Sequence, residues 1–166
     1  MPKTQENLAV AFAGESQANR KYLAFARQAD KEGLSQIAKL FRAAAEAETL
    51  HAHAHLANMG GVGTTLQNLE AAVAGETYEF TEMYPPMVAQ AEQEGHKAKK
   101  MLDFANRAEK VHAGLFRQAL EALKAGKDLS QMEVYLCPFC GDVEFGVPPE
   151  KCPICGAPGA KFQKIG

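Results

Sequence analysis

The chain has 166 residues, 46% hydrophobic and 23% charged, with a formal net charge of -2, enough for one ordinary domain plus a small one around a real core. Its basic residues are scattered, with no dense Lys/Arg block, which excludes an electrostatic footprint for nucleic acid or an anionic membrane. No stretch reaches the ~18 consecutive apolar residues of a membrane span and the first residues lack the apolar run of a signal peptide, so the expected location is the cytoplasm.

From residue 4 to about residue 124 the sequence is rich in Ala, Glu, Gln, Lys and Leu, with apolar residues recurring at three and four. Four helices are predicted. Helix A covers residues 4–32 and stops at Gly33; helix B starts after Ser35, a good N-cap, and runs to residue 59, before Gly60 and Gly61. Thr64 and Gln67 form a capping box for helix C, which runs to residue 94 and stops at Gly95. Pro85 and Pro86 should kink that helix rather than end it, because the apolar spacing resumes at Met87, Val88 and Ala91. Helix D covers residues 96–124 and ends before Gly126. Residues 126–133 read as a linker to short Val/Tyr/Phe pieces broken by Pro and Gly, too few to fold unaided. Two domains are therefore expected, residues 1–130 and residues 131–166, the second stabilised by a metal.

The helical part is written twice. AFAGES at residues 11–16 returns as AVAGET at residues 72–77, and the same 61-residue offset lays Glu48 on Glu109 and His51 on His112. Each helix places an ionisable residue on its apolar stripe: Glu15 after Leu8 and Phe12, Glu48 and His51 after Phe41 and Ala44, Glu76 and Glu79 after Leu69 and Val73, Glu109 and His112 after Leu102 and Ala105. One such Glu alone means little. A Glu from each of two helices and a Glu-x-x-His from each of the other two, however, is the ligand set of a carboxylate-bridged di-iron or di-manganese site in a four-helix bundle. Oxygen and imidazole donors favour iron or manganese over a soft-ligand metal. Glu48 and Glu109 are the natural bridges, Glu15 and Glu76 would cap one metal each, and His112 would hold one metal. Glu79 breaks the symmetry, because Ala18 stands at the matching place in helix A. Tyr22, seven residues after Glu15, and Tyr84, eight after Glu76, read either as second-layer hydrogen-bond donors to the ligand carboxylates or as ordinary core residues. His53 lies off the stripe and reads as solvated; His55, on it and one turn beyond His51, reads as a packed histidine in preference to a second-layer partner of the cluster.

All four cysteines fall in the tail, as CPFCG (137–141) and CPICG (152–156). Two C-x-x-C pairs in a chain without a signal read as one tetrathiolate site of Cys137, Cys140, Cys152 and Cys155, not as disulfides. Structural zinc and redox iron both fit that spacing.

Taken in order, AFAGES with Glu15, the Glu48/His51 pair, AGETYEFTEMYP with Glu76 and Glu79, the Glu109/His112 pair, CPFCG and CPICG make the whole chain resemble the rubrerythrin family. The resemblance implies a mainly α fold: a ferritin-like di-iron four-helix bundle followed by a rubredoxin-like Fe(Cys)4 domain, which assigns iron to the tail. It implies a cytoplasmic peroxidase that reduces hydrogen peroxide to water, with a rubredoxin or an NAD(P)H-dependent reductase as electron donor. It also implies Glu15, Glu48, Glu76, Glu79, Glu109 and His112 as diferric ligands, with His51 replacing Glu79 on reduction. A ferroxidase or iron-handling role, and a zinc-ribbon module on a structural bundle, are the competing readings.

The connection between helices B and C is shorter than in the longer members of that family. A 24-residue helix B is roughly 36 Å long, whereas the residues free after it span at most about 22 Å. A homodimer is therefore expected in which helices A and B of one chain pack against C and D of its partner.

Overall fold

The computed structural model describes residues 3–166. They form two compact units that divide between Gly63 and Thr64. Among the described residues no helix is long and apolar enough to cross a membrane.

The first unit is a hairpin of α1 (Lys3–Lys31) packed on α2 (Ser35–Asn58). Gly33 ends α1 with φ +77°, and the turn is closed by Leu34 N–H on the Ala29 carbonyl at 2.8 Å. Ser35, expected as the cap of the second helix, is instead its first helical residue; Leu34 holds the cap position with no side-chain bond. The tight turn explains the shift, since the Leu34 carbonyl already accepts the Ala38 N–H at 2.9 Å. Arg42 closes this end with hydrogen bonds of 2.8 and 3.4 Å to Asp30. The buried residues of the hairpin are Ala26, Ala29, Ala38, Ala45 and Ala52, a seam of methyl groups. Its larger apolar residues Val10, Ile37, Leu40 and Leu50 stay exposed, as expected of two helices that cannot enclose one another.

The second unit opens with the capping box in place: Thr64 Oγ1 accepts the Gln67 N–H at 3.3 Å and Gln67 Oε1 accepts the Thr64 N–H at 2.9 Å. Helix C is realised as α3 (Thr65–Tyr78), a π-helical segment Glu79–Met83 and α4 (Tyr84–Gln93). The two prolines occupy the first turn of α4, where neither can donate to a carbonyl one turn back. The helix answers by widening ahead of them, with Tyr84 N–H reaching the Glu79 carbonyl five residues back. Sequence arithmetic marks the same spot: Glu15 and Gly33 are 18 residues apart, Glu76 and Gly95 are 19. One extra residue is what a π turn absorbs.

After Gly95 the chain turns, and α5 (Lys99–Lys124) begins three residues later than the expected start at His96. His96 Nδ1 accepts the Ala98 N–H at 3.1 Å and holds residues 96–98 in that turn. Both α3 and α4 pack along α5.

The tail is an antiparallel sheet of β1 (Val134–Leu136), β2 (Val143–Phe145) and β3 (Gln163–Ile165) in the order β2-β1-β3. It docks on α5 of its own chain: Ala108 is buried with Cys137, Cys140, Cys152 and Ile154, and Phe104 and Val111 pack against them. Arg107 fixes the contact by donating to the Ile154 carbonyl at 2.8 Å and the Pro153 carbonyl at 2.6 Å. Hydrogen bonds from a charged donor are each worth about 1.5–3 kcal/mol when shielded, less at a half-exposed residue such as this. Arg107→Ala should therefore loosen the tail without melting the helices: limited proteolysis within residues 126–133 is expected to run several-fold faster, with the helical circular dichroism unchanged.

Candidate metal centres

In the first unit, α1 brings Glu15 and α2 brings Glu48 and His51 to one place, with donor atoms all within 4.8 Å of one another. His51 Nδ1 lies 3.3 Å from Glu48 and 3.9 Å from Glu15. The two carboxyls share a hydrogen bond that holds Glu15 above the usual carboxylate range and Glu48 below it. Asn19, one turn after Glu15, ties the helices beside the cluster by donating to the Ala45 carbonyl at 2.7 Å and to Thr49 Oγ1 at 2.8 Å. Within this unit Tyr22 packs with Phe25 and Phe41, ring centroids 6.3 and 6.2 Å away, and makes no hydrogen bond to Glu15 or Glu48. His53 is exposed; His55 is half-buried and close enough for its charge to act on Glu15.

In the second unit α3 supplies Glu76 and α5 supplies Glu109 and His112, again within 4.8 Å. His112 Nδ1 is 2.6 Å from Glu109 and 3.7 Å from Glu76. Its other nitrogen, Nε2, donates to the carbonyl of Gly141 in the CPFCG loop at 2.8 Å. That bond places the proton on Nε2 and leaves the Nδ1 lone pair directed at the carboxylates. Burial, then the hydrogen bond and charge of Glu109, raises the Glu76 carboxyl above its ordinary range. Glu79 opens the π segment outside the three-residue cluster, yet burial and the charge of Glu76 raise it as well. Burial, then the nearby charges of Glu109, Glu79 and Glu76, raises the Tyr84 phenol above its usual range. The π turn explains this: one extra residue lets Tyr84, eight after Glu76, occupy the face that Tyr22, seven after Glu15, occupies on a regular helix.

These residues fit divalent iron. Glu76 Oε2 is buried with no hydrogen-bond partner, an arrangement that costs several kcal/mol unless a cation answers it. The imidazole tautomer at His112 is the one a metal needs, and the donors are oxygen and nitrogen. Each unit carries a Glu and a Glu-x-x-His, half of the di-iron set.

The four cysteine sulfurs also lie within 4.8 Å of one another, with Cys137 to Cys155 at 3.6 Å and Cys140 to Cys152 at 3.5 Å. Two matching loops present them. Gly141 N–H bonds the Cys137 carbonyl at 3.0 Å and Gly156 N–H the Cys152 carbonyl at 2.9 Å, and both glycines have positive φ, +86° and +77°. Cys137, Cys140 and Cys152 are buried, and Cys155 reaches partway to solvent. Burial pushes the Cys152 thiol up to about 11 and Cys140 higher still, so a cation is needed to hold them as thiolates. The site is a tetrathiolate of the rubredoxin type.

Three features were not foreseen from sequence. Asp142, which the sequence motifs do not single out, is fully buried, accepts the Cys152 thiol at 3.3 Å and leaves Oδ1 unpartnered. The Arg107 clamp and the His112 to Gly141 bond join residues 46 or 47 and 29 apart. No local pattern announces such pairings.

Comparison with known proteins agrees with this anatomy. A family model described as Rubrerythrin matches residues 6–120, and one described as Rubrerythrin, rubredoxin-like domain matches residues 135–163. Rubrerythrin-2 of Clostridium acetobutylicum is 36% identical, over 96% of this chain and 95% of its own length. Nigerythrin of Nitratidesulfovibrio vulgaris is 39% identical over 96% of this chain and 85% of its own, and rubrerythrin of Porphyromonas gingivalis 37% over 98% and 90%. A solved structure of nigerythrin, fully reduced and all ferrous, superposes with a TM-score of 0.59 at 36% identity, covering 98% of this chain and 86% of that one. With its repeated Glu/Glu-x-x-His helices and its tetrathiolate tail, the chain belongs to the rubrerythrin family, mainly α and of the oxidoreductase kind.

Proposed function

We propose that this protein is a peroxidase, reducing hydrogen peroxide to water at a di-iron centre supplied with electrons through its four-cysteine iron. The single observation that carries the reading is the imidazole of His112, with Nδ1 on Glu109 and Nε2–H on the Gly141 carbonyl next to Cys140. One side chain thereby links the carboxylate cluster to the cysteine loop, a short route for electrons within one chain. In this reading residues 1–130 are the peroxide-reducing domain and residues 131–166 the electron-delivering one.

Glu15, Glu48, Glu76, Glu79, Glu109 and His112 would hold two irons, with His51 as an alternative ligand, and the cysteines would hold a third. Bound there, the pair supplies the two electrons that cleave the O–O bond. The protein's own contribution is an asymmetry between its two histidines. His112 is engaged at both nitrogens within its own unit, Nδ1 at Glu109 and Nε2 at Gly141, whereas among the described residues the polar contacts of His51 are those of Nδ1 with Glu48 and Glu15. In this reading His51 would keep more freedom to reorient than His112. Glu79, on the π segment, is the matching movable carboxylate, and Tyr84 keeps a proton beside it to donate to a carboxylate oxygen.

Assembly follows from half a ligand set in each unit. Six residues, 59–64, join α2 to α3, and they span at most about 22 Å against an α2 of roughly 36 Å. The complete bundle is proposed to form in a homodimer, α1 and α2 of one chain against α3, α4 and α5 of the other. This would cover the apolar residues that the hairpin leaves exposed. Electrons would arrive from a rubredoxin or an NAD(P)H-dependent reductase.

Three measurements test this. Metal analysis of protein isolated anaerobically from its native host should give about three irons per chain, with a red thiolate absorbance that bleaches on reduction; zinc at the cysteines would refute the electron route. In stopped-flow, His51→Ala and Glu79→Ala should each slow oxidation of the reduced protein by peroxide about 10–100-fold, and unchanged rates in both would refute the exchange of ligands. Mixing unfolded Glu15→Ala and Glu109→Ala chains and refolding them should restore activity, since the heterodimer contains one intact site; a monomer in light scattering that still holds two bundle irons would exclude the exchanged dimer.

A further inference from the structure

Resting on the proposed electron route, we infer that a small acidic electron-carrier protein docks on the groove at Cys155, between Lys100 and Lys161. Three of the four cysteines are 1–3% exposed, and only Cys155 reaches partway to solvent. Since electronic coupling falls steeply with distance, an external carrier gains most by approaching that edge. A groove of 460 Å³ opens there, with Phe104, Phe139 and Cys155 in its lining and Lys100 and Lys161 at its edges. Its composition is that of a docking patch: an apolar floor with charge at the rim. Phe139 is 55% exposed, an aromatic side chain left open to solvent two residues from a buried cysteine.

The charges decide the partner. No carboxylate lines the groove. Lys99 and Lys164 are neutralised by Glu92 and Glu133, whereas among the described residues neither Lys100 nor Lys161 has a carboxylate within ion-pairing distance. Lys100 lies instead over the Phe104 ring, 5.5 Å from its centroid. Two uncompensated ammonium groups across an apolar floor attract a partner whose redox edge is ringed by Asp and Glu, and repel a basic one. The chain's net charge of -2 would otherwise disfavour an acidic carrier, so the attraction has to be local.

The test separates docking from chemistry. Full-length protein loaded with zinc in place of iron at every site, diamagnetic and unable to turn over, is titrated with a small acidic rubredoxin, itself zinc-substituted, and followed by amide NMR. Shifts are expected at Phe139, Gly156, Ala157 and Lys161, with binding weakening as salt is raised. Lys100→Glu together with Lys161→Glu should raise the dissociation constant at low salt by about tenfold or more, and Lys100→Gln with Lys161→Gln by less. In the iron form the same reversal should slow reduction by rubredoxin but leave reduction by photoreduced riboflavin, a reductant too small to span both ammonium groups, within twofold. Shifts confined to another face, an unchanged dissociation constant in the charge-reversed protein, or equal slowing with riboflavin would overturn the inference. Because the NMR arm contains no iron, it stands or falls independently of the peroxidase reading.

Discussion

A carboxylate withdrawn from water costs several kcal/mol unless a proton, a hydrogen bond or a cation answers its charge, and this chain withdraws such groups in pairs. Glu15 meets Glu48 across one helical hairpin and Glu76 meets Glu109 across the other, each pair with a histidine three residues after its second member. Without a cation the pairs share protons, raising Glu15 and Glu76 and lowering Glu48. Metal replaces the proton. The same reasoning governs the tail, where burial keeps the Cys140 and Cys152 thiols protonated until a cation takes their place. Both centres are thus places where folding raises the cost of charge and metal removes it.

Duplication supplies two similar hairpins, and the chemistry depends on where they differ. The second copy carries an extra residue between its first ligand Glu and the glycine at its end, absorbed in the π segment Glu79–Met83. That insertion turns Tyr84 toward the carboxylates, beside a Glu79 that stands where the first copy has Ala18, whereas Tyr22 of the first copy sits in an aromatic cluster. The tail adds a second difference by accepting the Nε2–H of His112, a bond with no described counterpart at His51. The two imidazoles of a duplicated scaffold are thereby held differently.

Much of this was legible in the sequence because the signals are local or periodic. Glutamate on an apolar stripe, repeated with its histidine at a fixed offset, specified both clusters; C-x-x-C written twice specified the third. The Thr64/Gln67 box fixed the start of α3 to the residue. Ser35 misled, since its composition suits a cap but the Gly33 turn had already spent that position on Leu34. The prolines signalled a disturbance, and whether it became a kink or a π turn depended on one inserted residue that only alignment of the two copies reveals. Asp142, Arg107 and Gly141 were illegible for another reason: their partners are tens of residues away or buried by the docked tail.

The alanine seam of the first hairpin works as a gauge. Helix axes approach to about 8–10 Å according to the side chains between them, small ones allowing the closer approach, and the buried side chains of α1 and α2 are the methyl groups of Ala26, Ala29, Ala38, Ala45 and Ala52. A methyl group has no rotamer to relax and little to compress. The gap between Glu15 and Glu48 is therefore set by covalent dimensions rather than adjustable packing, and a larger residue at Ala45 or Ala52 would act on that gap directly. The spacing of the reactive groups is in this sense held by residues that carry none.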